Sequence, residues 1–505
     1  MSKVITEENL DLIVRNIINE YTKDSKEPVQ KLKEIDTSLH LETTGLKNQF
    51  TDGENGVFTD MTKAIEAAKT AQKKIRQIGI KTREAIITEM RTVILDNKES
   101  LAKDMLEETG LGNYNDKLQK IELVTTGTPG TEDLKIEAYS GDSGLTTVEY
   151  SPYGVAGAVT PTTNPVETIV NNSIGMLAAG NSVVFNVHPS SVEVCKKTVS
   201  LLNQAALSKG GLANIITMVD KPSMESLDTL MEHPDVRLLV GTGGTGLVKK
   251  LLQSGKKVIG AGAGNPPVLV DSTADIEIAA KEIIKGASFD NNILCIAEKE
   301  VFVVEEIADE LIFQMINNGA VLLNNNQVEK LMNLVLVEDE TNAAKSCSNV
   351  NKTEYHINKN WIGKDVSLFL EKLDIQQGDR DSQKLIIFES SFNHPLVQLE
   401  QMMPVLPIVR VKDINEGIDL AVKAEKGNRH TAIMHSQNIN NLTRFAKEVE
   451  STIFVKNASS LAGVGFEGEG YSTMSIAGPT GEGLTSAKNF ARKRRCVLGQ
   501  GGLSI

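Results

Sequence analysis

The sequence has few cysteines and no long run of apolar residues. Its 505 residues include four cysteines, Cys195, Cys295, Cys347 and Cys496, and none has the C-x-x-C spacing of a zinc or disulfide motif. This usage argues against a disulfide framework and fits a reducing compartment. No stretch approaches the roughly 18 apolar residues of a membrane-spanning helix, and acidic residues among the first 20 positions argue against a secretory signal.

Several common catalytic motifs are also missing. The chain has no G-x-S-x-G, no G-x-x-x-x-G-K-[ST] and no H-E-x-x-H segment, which argues against a serine hydrolase, a P-loop NTPase and a zincin. The seven histidines do not form a cluster with metal-ligand spacing, so we expect no metal site. The 53 basic residues are outnumbered by 66 acidic ones, and the net charge of −13 disfavours nucleic acid or an anionic membrane as partner.

An amphipathic helix is predicted within residues 1–20. Apolar residues occupy the spacing of one helical face: Leu10, Ile13, Val14, Ile17 and Ile18. Residues 21–55 are polar and weakly patterned, as in a flexible linker. A helix placed beyond such a linker either docks on a partner or folds back on the core, and we favour docking.

From residue 56 onward, helical patterns of about 10 to 15 residues alternate with short apolar runs, which predicts parallel sheets in doubly wound α/β layers. Two successive sets of these elements predict two α/β domains. One helical pattern runs without a break from Lys81 to Glu107, and the next begins at Glu167. Residues 136–150 and the stretch from Arg494 to Leu498 break the alternation and would form an antiparallel extension or an arm that reaches a neighbour.

A glycine-rich turn, Gly241-Thr242-Gly243-Gly244-Thr245-Gly246, follows a predicted strand and opens a predicted helix. It matches the G-x-G-x-x-G pattern of dinucleotide-binding turns. Free backbone N–H groups at a helix start are what a pyrophosphate requires, but a flexible loop gives the same pattern. A second match, Gly463 to Gly468, has no predicted helix after it.

Three other features are candidates for chemistry. Cys295 lies in an amide-rich turn just before a strong predicted strand, where it is either a small buried residue or a nucleophile. His188 lies at a strand-to-helix turn, where ligands bind in open α/β sheets, although a lone histidine there is more often structural. The basic run from Arg492 to Arg495 is either a solvated or inter-subunit face or a phosphate contact.

Together these motifs resemble the aldehyde dehydrogenase family, and within it the CoA-acylating propionaldehyde and acetaldehyde dehydrogenases of bacterial microcompartments. The N-terminal helix and linker resemble that group's encapsulation peptide. The segments that carry the resemblance are Val159 to Pro165, Phe185 to Ser190, Gly241 to Gly246, Gly260 to Pro267, Ser288 to Cys295, Glu400 to Pro404 and Phe490 to Cys496.

The resemblance implies a role for each matching residue. Cys295 matches the family nucleophile, and Asn164 matches the asparagine whose amide helps to form the oxyanion hole. His188 falls where relatives contact the adenosine ribose, and Glu400 matches the glutamate that holds the nicotinamide ribose. The turn from Gly241 to Gly246, including Thr242, Gly243, Gly244 and Thr245, matches the loop beside the pyrophosphate and nicotinamide of the cofactor.

Two residues depart from the hydrolytic members of the family. Ala261 stands where they have a glutamate that activates water. Because the pKa of water is about 15.7 and that of a thiol about 8.5, loss of this base slows hydrolysis more than thiolysis, so we expect CoA to take the acyl group. Asn292 replaces the glycine usual shortly before the family cysteine, so the backbone geometry there cannot be carried over from hydrolytic relatives.

The resemblance thus implies an NAD-dependent CoA-acylating aldehyde dehydrogenase that acts through a cysteine thioester, with propanal favoured over acetaldehyde. NAD is preferred to NADP only weakly. The alternatives are a hydrolytic aldehyde dehydrogenase, a phosphorylating semialdehyde reductase and a shell-associated scaffold without catalysis.

The expected domain organisation follows the same resemblance. An aldehyde dehydrogenase-like fold would place the NAD-binding domain in residues 56–135 and 151–262 and the catalytic domain in 263–472. Residues 136–150 and 473–505 would form an oligomerisation arm in a homodimer or homotetramer. Residues 1–20 would bind a shell protein, which implies a location in the lumen of a cytoplasmic bacterial microcompartment.

Overall fold

The computed structural model describes residues 52–338, 355–375 and 382–501. Within these ranges, the main body consists of two parallel sheets with helices packed on both faces, as the alternating pattern predicts. The predicted helix in residues 1–20 and linker residues 21–51 lie outside the described residues. Among the described residues, no helix combines the length and apolar character needed to cross a membrane.

The first sheet has six strands, all paired in parallel. Alternate residues of a strand pack on opposite faces: Val183 and Phe185 lie in one hydrophobic core and Val184 lies in another. In spatial order the strands are Val57–Phe58, Ile216–Val219, Ser182–Asn186, Val155–Val159, Val236–Thr242 and Lys257–Ala261. The accompanying helices are Met61–Ile75, Ile80–Asp96, Lys98–Thr109, Tyr114–Gly127, Pro165–Ala178, Val192–Gly210, Met224–Glu232 and Thr245–Leu252.

The second sheet has seven strands, also parallel throughout. Both faces are again buried, with Leu385 and Ile387 in one core and Ile386 and Phe388 in another. In spatial order the strands are Ala320–Leu322, Leu385–Glu389, Val405–Val411, Glu300–Val304, Pro267–Val270, Thr431–His435 and Ile453–Lys456. The accompanying helices are Ile276–Ser288, Glu305–Asn317, Asn325–Val335, Val366–Lys372, Pro395–Gln398, Ile414–Glu425 and Ile439–Val449.

A three-stranded antiparallel sheet, here called the arm, is formed by Glu137–Gly141, Gly144–Pro152 and Ala491–Leu498. The antiparallel pairing predicted from the sequence is therefore present, and its last strand starts before Arg494. Residues 473–490, which were also expected in the arm, behave differently, because Ala487 and Phe490 are buried in a core of the first sheet. Two further antiparallel pairs join Leu336–Glu338 to Tyr355–Ile357 and Ile476–Ala477 to Gly483–Leu484.

The single helix predicted from Lys81 to Glu107 is wrong, because the structure has two helices that meet at Asn97. Asn97 has a φ of −107° and a ψ of 5°, which are not helical values. Its side-chain Nδ2 donates to Val93 O at 2.8 Å, so the amide competes with the backbone for a helical carbonyl. The pattern is apolar on both sides of this residue and does not reveal the break.

The helix Tyr114–Gly127 was missed by the sequence analysis. Its buried side is formed by Lys117, Lys120, Ile121, Val124 and Thr125, which have the correct spacing for one helical face. Two of these five residues are lysines, so the face has no continuous apolar stripe. A helix that buries lysines is therefore not detected by a search for hydrophobic periodicity.

Candidate active site

A cavity of about 260 Å³ lies between the carboxyl edge of the first sheet and the loops that precede strands of the second. Asn164, His188 and the segment from Thr242 to Gly244 each lie at or just after the end of a strand of the first sheet. The carboxyl ends of parallel strands share one edge, which brings these residues together. Cys295 and Glu400 reach the same cavity from loops before Glu300–Val304 and Val405–Val411.

The cavity is lined by seven of the residues predicted for the site: Asn164, His188, Thr242, Gly243, Gly244, Cys295 and Glu400. Gly241 and Thr245 do not line it. Gly241 is buried, and a Cβ at this position would lie 2.1 Å from Leu251 Cδ1, so the absence of a side chain allows close packing of the following helix. Thr245 is exposed at the first position of that helix.

The backbone before Cys295 is held in an unusual conformation. Asp290, Asn291 and Asn292 have φ values of 47°, 53° and 64°, in the left-handed region that Asn and Asp tolerate better than most residues. Asn292 Nδ2 donates to Ala287 O at 2.7 Å and to Glu298 O at 3.0 Å. Asn292 therefore takes the type of conformation that glycine favours, while its amide adds bonds that glycine cannot make.

A buried lysine, Lys299, completes this loop and was missed by the sequence analysis. Its ammonium donates to Asn292 O at 3.0 Å, to Asn292 Oδ1 and to Leu294 O at 3.1 Å. All three hydrogens of the ammonium are thus used within four residues of Cys295. The only sequence signal for this arrangement is a lysine four positions after the cysteine.

The electrostatics of the cavity keep the Cys295 thiol protonated. Burial and the carboxylate of Glu400 raise the pKa of Cys295 to about 12, although the nearby charge of Lys299 and backbone N–H groups act in the opposite direction. Burial also raises the pKa of Glu400 to about 6, so its carboxylate is ionised at neutral pH. A base must therefore remove the thiol proton before Cys295 can act as a nucleophile. The ionised carboxylate of Glu400 lies close enough to influence the pKa of this thiol.

Asn164 precedes the helix Pro165–Ala178 and is 8% exposed. Its Oδ1 accepts a hydrogen bond from Lys120 Nζ at 2.7 Å, and its Nδ2 donates to Thr163 Oγ1 at 3.3 Å. One hydrogen of the amide remains for a group in the cavity. The side chain can therefore donate to an oxyanion.

His188 is exposed and lies where the first-sheet strand Ser182–Asn186 meets a short helical turn. Its Nδ1 accepts a hydrogen bond from the backbone N–H of Ser190 at 3.2 Å, so Nε2 is the nitrogen available to a ligand. The histidine thus both closes the turn and lines the cavity.

Ala261 is 3% exposed, and its carbonyl accepts a hydrogen bond from Gly243 N at 3.0 Å. Its neighbours Gly262 and Ala263 line the cavity instead. Of the described residues that line this cavity, those that titrate are His188, Cys295 and Glu400. Within the described ranges, no group of three or more histidine, cysteine or acidic residues is arranged to hold a metal ion.

The basic run from Arg492 to Arg495 lies on the exposed last strand of the arm and does not line the cavity that contains Cys295. Lys493 Nζ lies 3.4 Å from Glu137 Oε1, and Arg492 Nε donates to Pro152 O at 3.2 Å. Arg492 and Arg494 border a separate cavity of about 520 Å³ at the base of the arm. The structure thus separates this run from the candidate active site.

The comparison with protein families agrees with this fold of two parallel sheets and a cavity at the carboxyl edge of the first sheet. Residues 47–488 match the model of the aldehyde dehydrogenase family, so the chain belongs to this family. The Propanal dehydrogenase (CoA-propanoylating) of Salmonella typhimurium is 45% identical over 446 residues, which cover 88% of this chain and 92% of that protein.

Two solved structures are similar over almost the same length. A propionaldehyde dehydrogenase of Rhodopseudomonas palustris with bound propionyl-CoA has 50% identity and a TM-score of 0.83, covering 88% of this chain and 96% of that one. A propionaldehyde dehydrogenase from the fucose utilisation microcompartment of Clostridium phytofermentans has 48% identity and a TM-score of 0.82, covering 88% and 98%.

Proposed function

We propose that this chain oxidises a short-chain aldehyde with NAD⁺ and CoA to acyl-CoA and NADH, with propanal as the main substrate. The observation that carries the proposal is the cavity shared by Cys295, Asn164 and the glycine turn, with alanine at position 261. The name of the Salmonella relative and the propionyl-CoA bound to the Rhodopseudomonas protein support both the acyl acceptor and the chain length.

In the proposed reaction, deprotonated Cys295 attacks the carbonyl carbon of the aldehyde, and the carbonyl oxygen becomes an oxyanion. Asn164 Nδ2 and the backbone N–H of Cys295 donate hydrogen bonds to this oxygen. A dinucleotide held at the glycine turn would supply the acceptor for the hydride that leaves this carbon. The carbonyl then re-forms, and Cys295 carries the acyl group as a thioester.

The acyl group then passes to the thiolate of CoA, which attacks the thioester carbon and releases Cys295 as a thiolate. Water would need a base to compete, because its pKa is about 15.7. The position at which hydrolytic relatives have a glutamate is occupied by Ala261, whose side chain is buried and apolar. We therefore assign the second half-reaction to thiolysis.

The glycine turn fits the pyrophosphate of a dinucleotide. A Cβ at Gly244 or Gly246 would meet no atom within 4 Å, so the space over the start of the helix Thr245–Leu252 is open. The first N–H groups of a helix have no partners within it and attract anions. His188 and Glu400, which line the same cavity, would contact the adenosine ribose and the nicotinamide ribose respectively.

The experiment that tests this function measures NADH formation from propanal and NAD⁺ with and without CoA, and identifies the acyl product by mass. We expect strict dependence on CoA and formation of propanoyl-CoA. Steady formation of propanoate without CoA would overturn the acylating mechanism, and dependence on phosphate would indicate a phosphorylating enzyme. A higher kcat/KM for acetaldehyde than for propanal would replace the proposed substrate.

The arm is proposed to join subunits into a homodimer or homotetramer. Three of its large apolar side chains are well exposed: Tyr139 at 58%, Val497 at 62% and Leu498 at 55%. Apolar residues grouped on an exposed antiparallel sheet are typical of a surface that a partner covers. Light scattering of the protein and of a Val497→Lys variant tests this, because a monomeric wild type would contradict the proposal.

Residues 1–20 are proposed to bind a shell protein and so direct the enzyme to a microcompartment lumen. The amphipathic pattern supports this, as does the microcompartment origin of the Clostridium relative. Ile17→Glu adds a charge to the apolar stripe, whereas Asn19→Glu adds one outside it. We expect the first variant to lose co-purification with shells and the second to keep it, with kinetics unchanged in both. Retained encapsulation of Ile17→Glu would contradict the proposal.

A further inference from the structure

The helix Tyr114–Gly127 buries two ammonium groups behind the candidate active site. Lys117 and Lys120 are both 0% exposed, and neither lines the cavity that contains Cys295. A buried charge is tolerated only where charged and polar partners replace water. The partners of these two lysines therefore indicate what each one does.

Four oxygen atoms surround the ammonium group of Lys120, and the longest of these contacts, at 3.5 Å, is with Thr163 O. Its Nζ lies 2.7 Å from Asn164 Oδ1, 2.5 Å from Asp290 Oδ2 and 3.2 Å from Glu167 Oε1. Burial alone would lower the pKa of Lys120, but the carboxylates of Asp290 and Glu167 outweigh it and raise the pKa above its usual value. Lys120 is therefore charged when the enzyme works.

The contact with Asn164 fixes which way its amide points. An ammonium only donates hydrogen bonds, so the atom of the amide that faces it must be the oxygen. The Nδ2 group then points away from Lys120, where it bonds to Thr163 Oγ1 and keeps a second hydrogen. A positive charge behind the carbonyl also polarises the amide and strengthens Nδ2 as a donor.

The same ammonium connects Asn164 to the loop that carries Cys295. Asp290 begins the left-handed stretch before Cys295. Hydrogen bonds fix its position relative to the helix Tyr114–Gly127 and to Asn113, the residue that precedes this helix. The backbone N–H of Asp290 donates to Asp116 Oδ2 at 2.7 Å, and its Oδ1 accepts from Asn113 N at 2.8 Å. Asp290 thus links Lys120, and through it Asn164, to the start of the loop that carries Cys295.

We propose that Lys120 is a positioning residue of the oxyanion hole: it binds Asn164 Oδ1 and so presents Nδ2 of that residue to the substrate oxygen. The inference rests on the role proposed for Asn164. Lys117 provides a matched control because it is equally buried, lies on the same helix face and contacts Asp290 Oδ2 at 3.5 Å. No contact joins Lys117 to Asn164 among those of the described residues.

The test compares Lys120→Met with Lys117→Met, each alone and combined with Asn164→Ala. Loss of one oxyanion donor lowers kcat by about 10²- to 10³-fold, and we expect Lys120→Met to lose a similar factor with a much smaller change in the aldehyde KM. In the Asn164→Ala background, Lys120→Met should cause no further loss. Lys117→Met should keep most of its kcat. The rate of Cys295 alkylation, followed by peptide mass, should be the same in both single variants.

Other outcomes separate the proposal from its premise. Full activity of Asn164→Ala would refute the proposed role of Asn164 in the oxyanion hole, on which this inference rests. If Asn164→Ala is impaired, two results would overturn the proposal. The first is a kcat of the double variant that is reduced by the product of the two single losses. The second is slower alkylation of Cys295 in Lys120→Met but not in Lys117→Met, which would show that Lys120 acts through the cysteine loop.

A second variant covers the case in which Lys120→Met does not fold. Lys120→Gln retains N–H donors that can reach Asn164 Oδ1, so its kcat should lie between those of the wild type and Asn164→Ala. A kcat below that of Asn164→Ala would show that Lys120 does more than orient Asn164, and would overturn the proposal.

Discussion

The two loops that face each other across the cavity are held in different ways. The turn from Thr242 to Gly244 is bound to its surroundings by few contacts, among them Gly243 N to Ala261 O and Thr242 Oγ1 to Ser475 Oγ. The loop from Asp290 to Cys295 is held by the side-chain amide of Asn292, the carboxylate of Asp290 and the buried ammonium of Lys299. The first arrangement suits the proposed binding of a cofactor that enters and leaves, whereas the second suits the proposed nucleophile, Cys295, which must keep its position.

The largest effect is expected from removing the nucleophile. Cys295→Ala should lower kcat by at least about 10⁴-fold, since a covalent intermediate can no longer form. Circular dichroism should show an unchanged fold, because alanine differs from cysteine by the loss of a single sulfur atom. The matched control is Cys195→Ala, a fully buried cysteine in the helix Val192–Gly210, which should keep its activity. Turnover by the Cys295 variant at the wild-type rate would place the nucleophile elsewhere.

The conformation of the cysteine loop is tested at Asn292. Both Asn292→Gly and Asn292→Ala remove the side-chain bonds, but only alanine has a Cβ in the left-handed region. That conformation costs a non-glycine residue roughly 1–2 kcal/mol, so we expect the alanine variant to be less stable than the glycine variant by about 1 kcal/mol. Urea unfolding measures the difference. Equal stabilities would mean that the left-handed conformation is not retained in solution.

The cofactor side of the cavity is tested by a pair of glycines. Gly244→Ala should leave the melting temperature unchanged and raise the KM for NAD⁺, because its Cβ enters open space over the turn. Gly241→Ala should lower the melting temperature, because its Cβ would approach Leu251 within the core. The two variants would then separate binding from packing within one motif. An unchanged KM in the first variant would exclude the turn from cofactor binding.

A smaller effect is expected from pH. The pKa of Glu400 is raised to about 6, so its carboxylate is present above this pH and becomes protonated below it. A protonated carboxyl accepts hydrogen bonds from ribose hydroxyls less well, so the KM for NAD⁺ should rise as the pH falls through about 6. Glu400→Gln should have a high KM at every pH and lack this transition. Persistence of the transition in the variant would assign it to another group.

The sequence predicts the apolar framework better than the charged interior. Parallel strands such as Val301 to Val304 are buried on both faces and are apparent as continuous apolar runs. The predicted position of the glycine turn between a strand and a helix is also confirmed, because its pattern depends on local backbone geometry. The helix with Lys117 and Lys120 is missed, since its buried face is partly charged and its ion-pair partners lie far away in the chain.

The candidate site shows the same division. Asn164, Cys295 and Glu400 were proposed from family resemblance, and the structure brings them to one cavity. Lys120 and Lys299 could not be proposed, because a lysine on its own is usually a solvated residue. Their placement depends on which carbonyls and carboxylates the fold brings within reach, and no local pattern contains that information.

Burial of the nucleophile has a consequence for the chemical durability of the enzyme. Peroxides and disulfides oxidise thiolates far faster than thiols. Because the pKa of Cys295 is raised to about 12, the free enzyme holds it in the less reactive form at neutral pH. Oxidation of Cys295 to sulfinic and sulfonic acids should therefore be slow in the free enzyme at neutral pH, and inactivation by peroxide should become faster as the pH rises.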